Sequence, residues 1–318
     1  MGKDIINILI ACDKNYAQYY GVMLTSLFAN NRECGFHIYW ITDGSISQKD
    51  KAIFNKLVTK YKSYISIYEI DNKCYANYPQ SGHINCAAYY NLNASKILPE
   101  EVHRIIYMDG DMVVNGDIRP LWEIDLHENV CAQVLGAAYY DEEQYERLGY
   151  DKKYGVYNNG VTVYDFDKLR QMDFSNKALQ FIMDNPEKVT WMDQDVINIF
   201  LHDKTLRLSY RYNFQTLALT QERWQHYDDA FRREVLSESS NPIVVHYTGH
   251  IKPWQIRYYG FPFGSLWDKY WRQSDWHEAK QRRPIKQYAK YLIKRLIHQS
   301  SFRNQCNDVY IKEAWALR

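Results

Sequence analysis

Residues 104–114 read Arg-Ile-Ile-Tyr-Met-Asp-Gly-Asp-Met-Val-Val. Two carboxylates, Asp109 and Asp111, stand two apart in an otherwise apolar run. In a strand, side chains i and i+2 share a face, so both acids can converge on one cation. Acids at the end of a buried strand are costly unless a metal or a donor network compensates them. A second constellation lies far along the chain. His246 closes the apolar run Ile243-Val244-Val245 and is followed by Gly249, Lys252 and Trp254. A glycine that frees backbone N–H groups and a lysine that supplies a point charge suit a phosphate. Two carboxylates and one imidazole leave about three positions of an octahedral cation for phosphate oxygens, and such O/N ligation favours Mn²⁺ ahead of Mg²⁺.

The surrounding patterns say what must position these groups. Ile5–Ala11 is a continuous apolar run and Tyr16–Ala29 has helical periodicity. Phe36–Ile41 reads as a strand, and Ser47 with Asp50 three residues on reads as a helix start. Tyr64–Ile70 is a further strand, Ala87–Leu98 a helix stopped by Pro99, and Arg104–Val114 a single strand carrying both acids. Strands are also expected near Val130–Leu135, Gly160–Tyr164 and Ile243–His246, with a helix from about Asp193 to Leu201. This alternation predicts an α/β fold with a parallel sheet flanked by helices. Ligands of such sheets bind outside the carboxyl ends of the strands. Asp13, after the first strand, and Asp109 with Asp111, on the fourth, share that edge.

Composition narrows the function classes. The chain has 318 residues, 46% of them hydrophobic, and a net charge of +1, which argues against binding nucleic acid through bulk charge. Six scattered cysteines without a C-x-x-C pair suit a reducing, cytoplasmic compartment. No run approaches the ~18 apolar residues of a membrane span. Composition shifts after Trp254, so a boundary is placed at 255, with residues 256–318 an aromatic and basic helical appendage. Between Lys280 and Arg303 there are eight Lys or Arg and no Asp or Glu. Ile285, Tyr288, Leu292 and Leu296 fall at helical spacing beside Lys286, Lys290 and Lys294. That pattern predicts a basic amphipathic helix lying on an anionic membrane, hence a peripheral protein of the inner face of the plasma membrane.

Six segments in order carry a family resemblance: Ala11-Cys12-Asp13-Lys14-Asn15-Tyr16, Tyr107-Met108-Asp109-Gly110-Asp111, Pro120-Leu121-Trp122, Tyr157-Asn158-Asn159-Gly160-Val161, Met192-Asp193-Gln194-Asp195, and His246-Tyr247-Thr248-Gly249 with Lys252-Pro253-Trp254. Over roughly Ile5 to Trp276 the chain resembles glycosyltransferase family 8, the retaining α-glycosyltransferases, and within it bacterial lipopolysaccharide-core glucosyl- and galactosyltransferases. The resemblance implies a GT-A fold (a Rossmann-like mixed sheet flanked by helices), a UDP-glucose or UDP-galactose donor, a divalent metal and a glycan or glycolipid acceptor. It also implies roles. Ala11, Asp13, Asn15 and Tyr16 would hold the uridine, and Gly110 would pass beneath the ribose. Asp109, Asp111 and His246 would ligate the metal, while Gly249 and Lys252 would grip the diphosphate. Asn158, Asp193 and Gln194 would surround the donor sugar.

Two departures stand out. Where the family usually has Arg or Lys in a Tyr-x-Arg-Leu pattern, this chain has Tyr89-Tyr90-Asn91-Leu92. Asn91 cannot neutralise a phosphate, which leaves the donor's charge to the metal and Lys252. Val134-Leu135-Gly136-Ala137 also lacks an Asp often found there. The expected chemistry is departure of UDP, stabilised by the cation and Lys252, with front-face attack by the acceptor hydroxyl. Asp193 as a covalent nucleophile is the minority route. Two other readings stay open: a HAD-type phosphatase, whose signature Asp109-Gly110-Asp111-Met112-Val113 satisfies, and a non-catalytic sugar-nucleotide-binding protein.

Overall fold

In a computed structural model, residues 5–75, 77–79, 86–249, 252–254, 262–277 and 310–317 are described. The strands are β1 (Ile5–Ala11), β2 (Gly35–Thr42), β3 (Tyr64–Glu69), β4 (Arg104–Met108), β5 (Met112–Val114), β6 (Cys131–Leu135), β7 (Tyr157–Asp165), β8 (Thr205–Leu208), β9 (Phe214–Gln215) and β10 (Val244–His246). The longer helices are α1 (Ala17–Asn30), α2 (Gln48–Lys60), α3 (Phe174–Asp184), α4 (Met192–Leu201), α5 (Asp229–Ser239) and α6 (Gly264–Gln273). One seven-stranded sheet has the order β3-β2-β1-β4-β7-β6-β8, and a small sheet has the order β5-β10-β9. The expected GT-A architecture is the one observed.

Strands β3, β2, β1 and β4 run parallel, as the alternation predicts. The sheet as a whole is mixed, because β7 runs antiparallel to both β4 and β6. That reversal has a consequence for the site. The start of β7 lies at the edge where β1 and β4 end, so Asn158, Asn159 and Gly160 arrive beside Asp109. A bulge re-aims them further: Gln133 pairs with Thr162 but the next residue, Val134, pairs with Asn158. Asn159, Gly160 and Val161 are thereby left out of the β6 ladder, and a bulge frees neighbouring side chains from strict alternation.

Two expected elements are corrected. Arg104–Val114 is not one strand: β4 ends at Met108, and β5 begins at Met112 in the other sheet. Asp109-Gly110-Asp111 is the crossing between the sheets, so a change of sheet, not strand periodicity, brings the two acids together. Ala87–Leu98 is not one α-helix either. It is a 3₁₀ segment, Cys86–Asn93, followed by a single α turn, Ala94–Ile97, before Pro99. Tyr89, Tyr90, Asn91 and Leu92 are all buried, so the segment packs on every side and no one-faced stripe selects an α-helix. Other expectations hold closely. Ser47 caps α2, its hydroxyl accepting from the Asp50 amide at 3.0 Å.

Apolar residues on both faces of the sheet build two core layers. Residues beyond 255 enter one of them. Trp267, Tyr270, Trp271 and Trp276 are buried in that layer, as are Tyr310, Ile311 and Ala314. Gly21 makes room for one of these rings, since a Cβ there would lie 2.2 Å from Trp276. The basic stretch from Lys280 to Arg303 lies outside the described residues. Among the described residues, no helix is long and apolar enough to cross a membrane.

Candidate active site

The crossing Asp109-Gly110-Asp111 is held from three sides. The Asp109 amide donates to the Gly160 carbonyl at 2.9 Å, tying it to β7. The Tyr247 amide donates to the Asp111 carbonyl at 3.0 Å, tying it to the end of β10. Beneath Gly110 lies the Tyr20 ring, 2.7 Å from where a Cβ would stand, so a side chain at Gly110 would lift the turn. Tyr20 donates to the Ala11 carbonyl at the end of β1. Because β10 pairs His246 with Met112, the imidazole is fixed one residue from Asp111.

One ligating atom from each of Asp109, Asp111 and His246 lies within 4.8 Å of the others. His246 Nε2 is 3.3 Å from Asp111 Oδ1 and 3.7 Å from Asp109 Oδ2. The side chains of Asp111 and His246 are 11% and 5% exposed, whereas Asp109, at 29%, faces solvent at the edge. Lys252 Nζ donates to Asp111 Oδ2 at 2.5 Å and to the Tyr247 carbonyl at 2.9 Å. Trp254 anchors this lysine segment by stacking on Tyr19 with ring centroids 3.7 Å apart.

The electrostatics follow from this packing. Burial opposes ionisation of Asp111, but the Lys252 ammonium and then His246 overcome it and hold the carboxyl well below its usual range. Asp109 is pushed the other way, by burial and then by the charge of Asp111. Tyr107 donates to Asp109 Oδ1 at 2.7 Å. Among the described residues, two carboxylates share one neighbouring ammonium, which makes a place where a divalent cation is favourable. The donor set of two carboxylates and one imidazole nitrogen, with His246 Nδ1 already engaged by Asn213 Oδ1 at 2.9 Å, fits such an ion.

The remaining expected residues fall into two groups around this centre. At the end of β1, Asp13 accepts from the Asn15 backbone amide at 2.9 Å and from its side-chain amide at 2.7 Å. Tyr16 follows at the start of α1, its hydroxyl resisting ionisation through burial and then through the charge of Asp111. On the other side, Asn158 Nδ2 donates to Gln194 Oε1 at 2.8 Å. Asp193 Oδ2 accepts from Asn91 Nδ2 at 2.7 Å and also from Asn159 Nδ2. Gly249 packs against Leu217 with φ of +91°, the left-handed region that glycine adopts without strain.

Asn91 thus has a partner within the site. It is a buried amide donor to Asp193. Burial, followed by the charge of Asp109, pushes Asp193 well above the ordinary carboxylate range, against the opposing pull of the Asn91 and Asn159 amides. A folded-state pKa raised above the unfolded value means that the folded protein binds the extra proton. Stability should then fall as pH rises from about 4, the unfolded value, through the raised folded value, and level off above it. Denaturant titrations of the wild type and Asp193→Asn across this window check the point. The slope should be weaker in the variant, and an identical slope would remove Asp193 as its source.

The sequence did not single out Asn213, Asn159 or Tyr107. Asn159 sits inside a quoted motif, but strict alternation would have pointed it away from its neighbour. Asn213 has no local signal, since its relevance arises only where β9 meets β10.

The family model for glycosyl transferase family 8 matches residues 7–257. The chain belongs to glycosyltransferase family 8. General stress protein A of Bacillus subtilis (strain 168) is 30% identical over 260 residues, 80% of this chain and 89% of that protein. The lipopolysaccharide 1,2-glucosyltransferase of Escherichia coli (strain K12) is 28% identical over 302 residues, 92% of this chain and 86% of that one. A solved galactosyltransferase LgtC, in complex with donor and acceptor sugar analogs, superposes with a TM-score of 0.75 at 20% identity, covering 86% of this chain and 99% of that chain. This family 8 protein thus has the GT-A fold, and the phosphatase reading falls away.

Proposed function

We propose that the protein is a metal-dependent, retaining α-glycosyltransferase that moves glucose or galactose from a UDP-sugar to a saccharide acceptor, a lipopolysaccharide or lipooligosaccharide core or another surface glycan. The observation that carries this is the Asp109–Asp111–His246 cluster beside Lys252, at the carboxyl edge of β1 and β4. Asp109, Asp111 and His246 would hold Mn²⁺, with Mg²⁺ as the alternative. The ion would supply positive charge for the departing diphosphate. Lys252, already a donor on Asp111, reaches the same region and adds charge as UDP leaves. Asp13, Asn15 and Tyr16 bind the uridine, Gly110 and Gly249 border the ribose and diphosphate, and Asn158, Asp193 and Gln194 surround the sugar. Asp193 is buried and its Oδ2 is already engaged by the amides of Asn91 and Asn159, which leaves it poorly placed as a nucleophile. That supports front-face attack by the acceptor hydroxyl, its proton passing to the leaving phosphate.

Incubation with Mn²⁺ and a panel of UDP-sugars tests the reading. UDP release from UDP-glucose or UDP-galactose, abolished by EDTA, is the expected result. Binding of UDP-sugars without release or transfer to any acceptor would leave only a binding protein.

Residues 1–255 carry the donor and metal functions in this reading, and 256–318 the attachment to an acceptor-bearing membrane from the cytoplasmic side. The basis is the acid-free basic run from Lys280 to Arg303. Full-length protein should float with anionic vesicles, less so as salt rises, because surface attraction is screened over about 10 Å at 0.1 M ionic strength. Changing Lys286, Lys290 and Lys294 together to Glu should release it from vesicles without altering UDP release. Unchanged flotation would make the run an ordinary solvated face.

A further inference from the structure

A chain of four side chains links the metal cluster to the sugar pocket, and one backbone group fixes its direction. The Gly160 amide donates to Asn158 Oδ1 at 3.1 Å. A backbone N–H can only donate, so this oxygen cannot exchange places with the Asn158 nitrogen. Asn158 Nδ2 is thereby committed to Gln194, at 2.8 Å, and the atom it meets must be the Gln194 carbonyl oxygen. Asn213 Nδ2 also donates to Asn158 Oδ1, at 2.7 Å, and to the Asn158 carbonyl at 3.4 Å. The other end of that amide, Asn213 Oδ1, lies 2.9 Å from His246 Nδ1, which must therefore carry a hydrogen.

We propose that Asn213 is a positioning residue that orients both halves of the site: it holds His246 as the Nδ1–H tautomer with Nε2 bare toward Asp109 and Asp111, and through Asn158 it fixes Gln194 as an N–H donor to the sugar. The inference rests on the metal-dependent reading above. Asn213 suits the task because it is wholly buried and ends a 3₁₀ turn directly before β9. Parallel pairing of β9 with β10 sets Phe214 opposite Val245 and Gln215 opposite His246, so backbone register sets the Asn213–His246 distance. Gln194 Oε1 accepts from Asn158, so the amide is held in one orientation and its Nε2 hydrogens remain to donate to a substrate.

Two substitutions separate the halves. Asn213→Leu removes both hydrogen bonds, and Mn²⁺ affinity measured by EPR titration should fall by about 10–100-fold, the usual effect of losing a partner behind a metal-bound histidine. Asn213→Asp keeps an acceptor for His246 Nδ1 but cannot donate to Asn158. It should bind Mn²⁺ at least as well as the wild type while kcat for UDP release falls. Histidine ¹⁵N NMR of the Mg²⁺-loaded wild type gives a readout that does not depend on either variant folding: Nδ1 should be protonated and Nε2 not.

Wild-type Mn²⁺ affinity in Asn213→Leu, parallel loss of Mn²⁺ in both variants, or an Nε2–H signal would each overturn the proposal. If Asp111→Asn abolishes Mn²⁺ binding while Asn213→Leu retains it, only the positioning role fails. A wild type that binds no Mn²⁺ overturns the metal-dependent reading together with it.

Discussion

Asp111→Asn should leave a folded protein whose Mn²⁺-dependent UDP release is lower by ~10²-fold or more, the scale for a group that stabilises charge developing in a transition state. The effect is expected to be large because Asp111 serves two partners. Its Oδ1 is the carboxylate atom nearest His246 Nε2, and its Oδ2 holds Lys252. Asparagine is close in shape, so the turn between β4 and β5 survives, and the Tyr247 amide still finds the residue-111 carbonyl. What disappears is one full charge, both at the ligand and beside the lysine, which keeps its bond to the Tyr247 carbonyl. Circular dichroism matching the wild type, with activity lost, is the expected pair of results. Full activity, or activity that persists in EDTA, would remove Asp111 from the metal.

Gly160→Ala should cost nearly as much, although residue 160 ligates nothing in this account. A Cβ there would stand 2.5 Å from His246 Cε1 and 2.7 Å from its Nδ1. The ring has little freedom to yield, since Asn213 holds Nδ1 and β10 pairing holds the backbone. Backing away moves Nε2 out of the cluster, and a misplacement of about 1 Å can cost ~10²-fold in rate. Mn²⁺ titration and UDP release should therefore fall together in Gly160→Ala. Wild-type values would mean that the bulge in β7 relaxes enough to absorb a methyl group.

Much of the site is legible in the sequence because it sits at the ends of strongly patterned strands. Asp13, Asp109 and His246 each close an apolar run and Asp111 opens one, and runs of that kind are read directly from residue type. The reason for their convergence is not legible. Residue 109 leaves one sheet and residue 112 joins another, and only the tertiary arrangement places β10 beside β5. The polar ring behind the site is equally hidden. Asn159 reaches Asp193 because β7 bulges, and Asn213 reaches His246 because a two-residue strand pairs beside it. Asn91 shows the limit from the other side. Sequence identified it as a departure from the family pattern, whereas its burial reveals what it does in this chain: it donates to Asp193 together with Asn159.

The most direct measurement is the anomalous diffraction of Mn²⁺ in crystals of the protein grown with Mn²⁺ and UDP. A manganese peak is expected within bonding distance of Asp109, Asp111 and His246 Nε2, with diphosphate oxygens completing its coordination and Lys252 against the phosphate. UDP bound with no manganese at this cluster, or manganese held by other residues, would contradict it.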